Sequence, residues 1–225
     1  MNAWPQQCLI VGADGGIGAA IGRSLPRTCD VVQLSRRNGG PDIANEKDVA
    51  AAAATFSGRR FDLIFVASGA LTAVAPRPDR SFDELDPLEM AALFAVNAVG
   101  PALVFKHFGR LIQPDRRAVF AVLSARLGSI GDNRLGGWTA YRASKAALNQ
   151  ILRSAALELK RRAPEAVALA LHPGTIETRL TRPFANGKYT ASPDECAKDL
   201  LAICETAAPH MSGGFFAYDG SMIPW

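Results

Sequence analysis

Residues 8–22 read CLIVGADGGIGAAIG. An apolar run of strand length passes directly into glycines at 12, 16 and 18, and from there into a pattern of helical period. A strand that turns through glycines into a helix is how a parallel α/β sheet begins. Glycine serves two ends here. It lets the chain turn sharply, and it lets the backbone come close enough to a pyrophosphate for amide hydrogens at the helix N-terminus to hold it. Gly12, Gly16 and Gly18, with Asp14, Gly15 and Ile17 between them, are therefore the candidate dinucleotide cradle. The same spacing also occurs in ordinary tight turns, so the rest of the chain has to decide.

Working outward, apolar runs alternate with helical patterns. Strands are predicted at 8–12, 30–35, 62–68, 117–124, 166–173 and 214–220; helices at 16–25, 45–56, 87–113, 139–162 and 193–206. Several strand runs are apolar along their whole length, as strands covered on both faces require. The last helix opens well, with Ser192 as cap and Pro193 as its first residue. The expectation is an α/β fold: a doubly wound parallel sheet of Rossmann type with helices on both faces. A chain of 225 residues, 48% of them hydrophobic and without linker or repeat, fits one domain over 1–225.

Several function classes are disfavoured. The longest apolar runs, such as AVNAVGPALVF at 95–105, read as too short and too interrupted by Gly and Pro to span a membrane. No charged leader precedes the first strand, and Cys8, Cys29, Cys196 and Cys204 lack metal-ligand spacing; a reduced, cytoplasmic chain without a metal is expected. The net charge is +4, with arginine pairs scattered at 36–37, 59–60, 116–117 and 161–162. Nucleic acid would need one basic stripe with aromatic residues beside it.

The second strand should carry the residue that reads the adenosine ribose, about 20 residues past the glycines. It ends Leu34-Ser35-Arg36-Arg37, with no acid at its tip. A carboxylate there would bond a 2′-hydroxyl and repel a 2′-phosphate; Ser35 with Arg36 and Arg37 does the opposite. NADP(H) is thus expected in preference to NAD(H). Asp42 and Ile43, just beyond, are candidate adenine contacts.

TAYRASKAALNQ at 139–150 opens the long fourth helix pattern. Tyr141 and Lys145, four apart, share one helix face. A phenol of pKa ~10 exchanges its proton sluggishly at neutral pH. A neighbouring ammonium favours phenolate and makes the group a usable acid–base catalyst. By itself this pair is common on helices.

The order of the pieces is more specific. A glycine loop, VNAVGP at 96–101, YRASK at 141–145 and HPGTIET at 172–178 resemble the short-chain dehydrogenase/reductase family, over essentially the whole chain. GSIGDN at 128–133 and the closing FFAYDGSMIPW look most like its C-factor-type branch, which includes small carbonyl reductases. The resemblance implies hydride transfer between a nicotinamide and a small carbonyl or alcohol. Tyr141 would be the acid/base, Lys145 its pKa partner and a ribose ligand, and Asn97 the holder of a water that links Lys145 to solvent. Pro173, Gly174, Ile176 and Thr178 would line the nicotinamide side, and Ser68 and Gly69 would flank the cofactor ribose. It also implies a homodimer or homotetramer built on the helices at 87–113 and 139–162. A non-catalytic or weakly catalytic signalling protein of the C-factor type is the alternative.

Four departures stand out. Val66-Ala67-Ser68-Gly69 replaces the family's NNAG, and Gly15 stands where many NADP-dependent members carry a base. The segment between Thr178 and Pro193 is short for a substrate loop, implying an open site or a small lid. In LSARLGSIGDN, 123–133, the serine that would donate to the substrate oxygen is replaced by Ala125. Ser124 points to the opposite strand face. Ser129 could turn back into the site, a water could fill the gap, or activity could be weak. His172 could touch cofactor or substrate, or merely pack.

Overall fold

The computed structural model describes residues 4–225. Six strands form where the apolar runs lie: β1 Gln7–Val11, β2 Asp30–Leu34, β3 Leu63–Val66, β4 Ala118–Leu123, β5 Ala166–His172 and β6 Gly214–Ala217. They make one parallel sheet in the order β2-β1-β3-β4-β5-β6. Six helices connect them: α1 Gly16–Ser24, α2 Glu46–Ala54, α3 Pro87–Phe94, α4 Gly100–Phe108, α5 Thr139–Arg162 and α6 Pro193–Thr206. The predicted elements are all present, trimmed by a few residues at their ends, where turn geometry outweighs apolar composition.

Alternation along the strands divides the core into two layers. Leu9, Val11, Ile64, Val66, Phe120 and Val122 pack with Val49 of α2, Val104 and Phe108 of α4, and Leu148 and Leu152 of α5. Cys8, Ile10, Leu63, Phe65, Val119 and Ala121 pack with Ile21 of α1 and Ala197, Leu200 and Cys204 of α6. Both faces of the sheet are covered, so its strands need no polar side. This is the doubly wound Rossmann-type architecture. The strand order reverses between β1 and β3, which opens a crevice at their C-terminal ends.

The helical stretch from Pro87 to Leu111 corrects one expectation. It is 25 residues long and apolar enough by length and composition to cross a membrane. Gly100 and Pro101 do not interrupt it, because a π-helical turn over Ala95–Val99 lies just before them. In that turn the Gly100 amide reaches back to the Ala95 carbonyl, and the extra residue makes room for a proline ring that has no N–H to give. Leu93, Val104, Phe105 and Phe108 are buried, with Val104 and both phenylalanines in the core beneath α2 and α5, so one face of the stretch packs into the core.

Beyond β6 the chain doubles back. The Ile223 amide donates to the Phe215 carbonyl at 2.8 Å, and Trp225 stacks on Phe215 with ring centroids 5.7 Å apart. The Gly131 amide donates to the Trp225 carbonyl at 2.8 Å, tying the C-terminus to the loop after β4.

Candidate active site

Two of the loop glycines are required by the backbone itself. Gly12 has φ of +87°, and a Cβ there would fall 2.6 Å from the Ser68 hydroxyl. A Cβ on Gly18 would lie 2.3 Å from the Gly12 carbonyl oxygen. Gly16 backs onto Thr178, so this loop and the segment after β5 meet across the crevice. Helix α1 starts at Gly16 with no side-chain cap and no acid in its first turn. Its free amides therefore remain available, and Gly15, Gly16 and Ile17 form part of a cleft wall. An uncapped helix N-terminus opening on a crevice is a fitting seat for a pyrophosphate.

At the end of β2, Ser35 is buried and its amide donates to Asn38 Oδ1 at 2.8 Å. Arg36 and Arg37 stand exposed in a short 3-10 turn, and Arg37 Nε lies 3.4 Å from Asp14 Oδ2. Asp42 accepts from the Ala44 amide at 3.1 Å. Ile43 is buried in the core against the backbone of Gly100. The Ile43 side chain thus packs toward α4, which leaves its backbone as the part that could face an adenine.

Tyr141 and Lys145 come together on the first turns of α5, both buried. Lys145 Nζ donates to the Leu123 carbonyl at 2.9 Å. Burial disfavours its charge and brings its pKa down to about 8. Burial also pushes the Tyr141 phenol up, the reverse of the lowering expected from the neighbouring ammonium. Desolvation is the dominant influence on both groups.

The start of α5 is fixed from a distance. The Asp79 carboxylate accepts from the amides of Thr139 at 2.5 Å and Ala140 at 3.2 Å, and its carbonyl accepts from the Trp138 amide at 2.6 Å. The loop that carries Asp79 is gripped by Glu89, whose carboxylate accepts from the amides of Ala73, Val74 and Ala75. Trp138, left-handed at φ 53°, packs edge-on against both Tyr141 and Phe184. Sequence reasoning missed Asp79 and Glu89. Caps supplied from 60 residues away leave no local signature.

Asn97 sits in the π-helical turn, fully buried. Its Oδ1 accepts from the Ala70 amide, and its Nδ2 donates to the Ala70 carbonyl, both at 2.8 Å. Nδ2 also donates to Ser144 Oγ at 3.0 Å, and that hydroxyl donates to the Tyr141 carbonyl at 2.8 Å. Asn97 therefore splices the loop after β3 to α5. Gly69 lies between, where a Cβ would be 3.4 Å from both Asn97 Oδ1 and Lys145 Nζ.

Neither nearby serine replaces the hydroxyl missing at Ala125. Ser124 Oγ donates to Asn149 Oδ1 at 2.6 Å, on the far strand face. Ser129 does not turn into the site: it is buried, donates to the Pro224 carbonyl and accepts from the Asp132 amide at 3.1 Å. Ala125 itself is buried in an apolar cluster with Leu71 and Tyr141.

The cleft has a volume of about 880 Å³. Ser68, Gly69, Tyr141, Lys145, Pro173, Gly174, Ile176 and Thr178 are in its walls together with the tip of the glycine loop. Gly12, Asp14, Gly18, Ser35, Arg36, Arg37, Asp42, Ile43 and Asn97 are not among the residues that line it. The segment 175–191 is pinched shut by an Ile176–Ala191 bridge and lies over the cleft as a small lid, with Leu180, Phe184 and Lys188 inward. Among the described residues the walls hold Arg126, His172, Arg179 and Lys188 but no carboxylate.

Comparison with known proteins is consistent across three kinds of match. A family model described as enoyl-(acyl carrier protein) reductase matches residues 39–222. The 1-hydroxy-2-glutathionyl-2-methyl-3-butene dehydrogenase of Rhodococcus sp. is 29% identical, covering 96% of this chain and 98% of that one. The C-signal protein of Myxococcus xanthus is 34% identical over 63% of this chain and 82% of its own. A carbonyl reductase from Pseudomonas aeruginosa, solved in complex with NADP, superposes with a TM-score of 0.81 at 26% identity, over 98% of this chain and 99% of that one.

Proposed function

The chain belongs to the short-chain dehydrogenase/reductase family, and from that premise we propose that it is an NADP(H)-dependent oxidoreductase interconverting a small carbonyl compound and its alcohol. The observation that carries this reading is the buried Tyr141–Lys145 pair at one end of a cleft whose other end is the uncapped N-terminus of α1. When bound, the nicotinamide cofactor supplies or takes up the hydride. The amides at the start of α1 would hold its pyrophosphate. The Tyr141 hydroxyl, kept protonated by burial, donates to the carbonyl oxygen in the reductive direction and accepts in reverse. Lys145 would stabilise the resulting phenolate and could offer its ammonium to the cofactor ribose.

Preference for the 2′-phosphate rests on Arg36 and Arg37 at the end of β2, with no acid at that tip. A homo-oligomer built on the helices bearing the exposed Val99 and Leu157 fits the same reading. So does a reducing, cytoplasmic setting, with all four cysteines free. A purely signalling role would leave the buried Tyr141–Lys145 pair without a use. The test is NADPH oxidation with a panel of aldehydes, ketones and quinones. Tyr141→Phe should lower turnover by about 10²–10⁴-fold while NADPH still binds. Equal inertness of wild type and variant with cofactor bound would overturn the proposal.

A further inference from the structure

Gly136, Gly137 and Trp138 are all left-handed, with φ of 62°, 63° and 53°. Glycine takes up this backbone freely, but a bulky side chain there is strained and persists only where its surroundings impose it. Here they do. The Trp138 amide donates to the Asp79 carbonyl at 2.6 Å, and the Trp138 carbonyl accepts from the Arg142 amide at 2.8 Å. The Arg142 guanidinium donates to the carbonyls of Gly137 at 2.8 Å and Gly136 at 3.1 Å.

The held strain sets an indole in the cleft wall. The Trp138 ring centroid is 6.5 Å from that of Tyr141 and 6.1 Å from that of Phe184, so the side chain touches both the acid/base and the lid. These three rings line the cleft with Leu71, Ala125 and Leu127, and the six residues pack as one apolar cluster. Because Ala125 supplies no hydroxyl and Ser129 is turned away, the wall around the Tyr141 ring suits an apolar body rather than a polar one. Trp138 is only half-buried. Its two aromatic neighbours stand nearly perpendicular to it, at 80° and 73°, and among the described residues no ring lies parallel on the indole. Offset stacking of a flat ring is the favourable arrangement left unfilled.

We propose that Trp138 is a specificity-determining residue, its indole forming the wall against which the substrate's flat aryl group packs while the adjoining carbonyl faces Tyr141. The substrate class is then an aryl ketone or aryl aldehyde, or the corresponding alcohol. The proposal rests on the carbonyl–alcohol reading above.

The test measures kcat/KM with NADPH for acetophenone and for cyclohexyl methyl ketone in wild type, Trp138→Phe and Trp138→Asn. Asparagine enters the left-handed region more readily than most residues, so the second variant keeps the backbone and loses the ring. Comparing the ratio of the two ketones across proteins cancels their unequal intrinsic reactivity. Trp138→Asn should lower the acetophenone-to-cyclohexyl ratio by about 3–10-fold, the worth of one ring pair, and Trp138→Phe should hold it within about twofold. A residue that merely positions Tyr141 would lower both ketones equally. An unchanged ratio in Trp138→Asn, an equal fall in Trp138→Phe, or a wild type that reduces only the cyclohexyl ketone overturns the inference while the oxidoreductase reading stands. Binding supplies a second readout, since Trp4 and Trp225 do not line the cleft. Acetophenone should quench tryptophan emission saturably in the NADP⁺ complex of wild type and not in that of Trp138→Phe. Absence of that difference also overturns the inference. An inert wild type that still shows it overturns the oxidoreductase reading and leaves the aryl-binding wall in place.

Discussion

Ser129 donates its hydroxyl hydrogen to the carbonyl oxygen of Pro224, 95 residues further along the chain. The bond turns this serine away from the cleft and fastens the C-terminal segment to the loop after β4. A residue that the motif makes a candidate donor to substrate is, by its geometry, a clasp.

Ser129→Ala should therefore leave kcat/KM within about threefold of wild type. It should cost about 1–2 kcal/mol of stability, since it removes two partly buried hydrogen bonds and strands the Pro224 carbonyl and the Asp132 amide. Steady-state kinetics together with a urea midpoint separate the two roles; a hundredfold kinetic loss at unchanged stability would return Ser129 to the site.

Lys145 gives a pH signature. Its pKa falls from 10.5 unfolded to about 8 folded. Between those values the unfolded chain holds a proton that the folded chain lacks, so stability rises with pH. Relative to Lys145→Met, the wild-type protein should gain stability from pH 8 to pH 10. Above pH 10 the raised Tyr141 phenol acts in the opposite sense, because there the unfolded chain is the one that loses a proton. Parallel stability curves for the two proteins across that window would refute the shift.

Arg36 and Arg37 make different predictions. Arg37 lies against Asp14, whereas Arg36 has no carboxylate partner among the described residues. Arg36→Ala should weaken NADPH binding by about tenfold, the worth of a charge-assisted bond, and leave NADH within about twofold. Fluorescence titration with both cofactors measures the ratio; equal losses would place Arg36 outside the phosphate site.

Asp79 caps α5 from across the molecule. Asp79→Ala should cost about 1–2 kcal/mol, as a lost N-cap does. It should also reduce kcat more than NADPH affinity, because the first turn of α5 orients Trp138 and Tyr141. Asp79→Asn, which keeps an acceptor oxygen, should recover much of both. If Asp79→Ala unfolds with the wild-type midpoint, the capping role fails.

Much of this protein is legible in its residues alone. The apolar runs locate all six strands, because a strand covered on both faces has no polar position to disguise it. The glycine spacing and the Tyr141–Lys145 pair are local, set by φ values, close approaches and helical period, so they can be read from neighbours in the chain. The π-helical turn before Pro101 was not legible: a proline in an apolar run marks a break unless the preceding turn takes up an extra residue.

What only the tertiary structure decided is which polar groups are already spent on one another. Asp79 reaches Thr139, Glu89 holds three amides of its loop, Asn97 joins Ala70 to Ser144, and Ser129 holds Pro224. The Nδ1 of His172 is left with no hydrogen-bond partner among the described residues. A buried polar atom must be paired or pay for its desolvation, and its partner can come from anywhere in the chain. Sequence spacing determines which side chains share a face. Folding determines which of them remain free to meet a substrate.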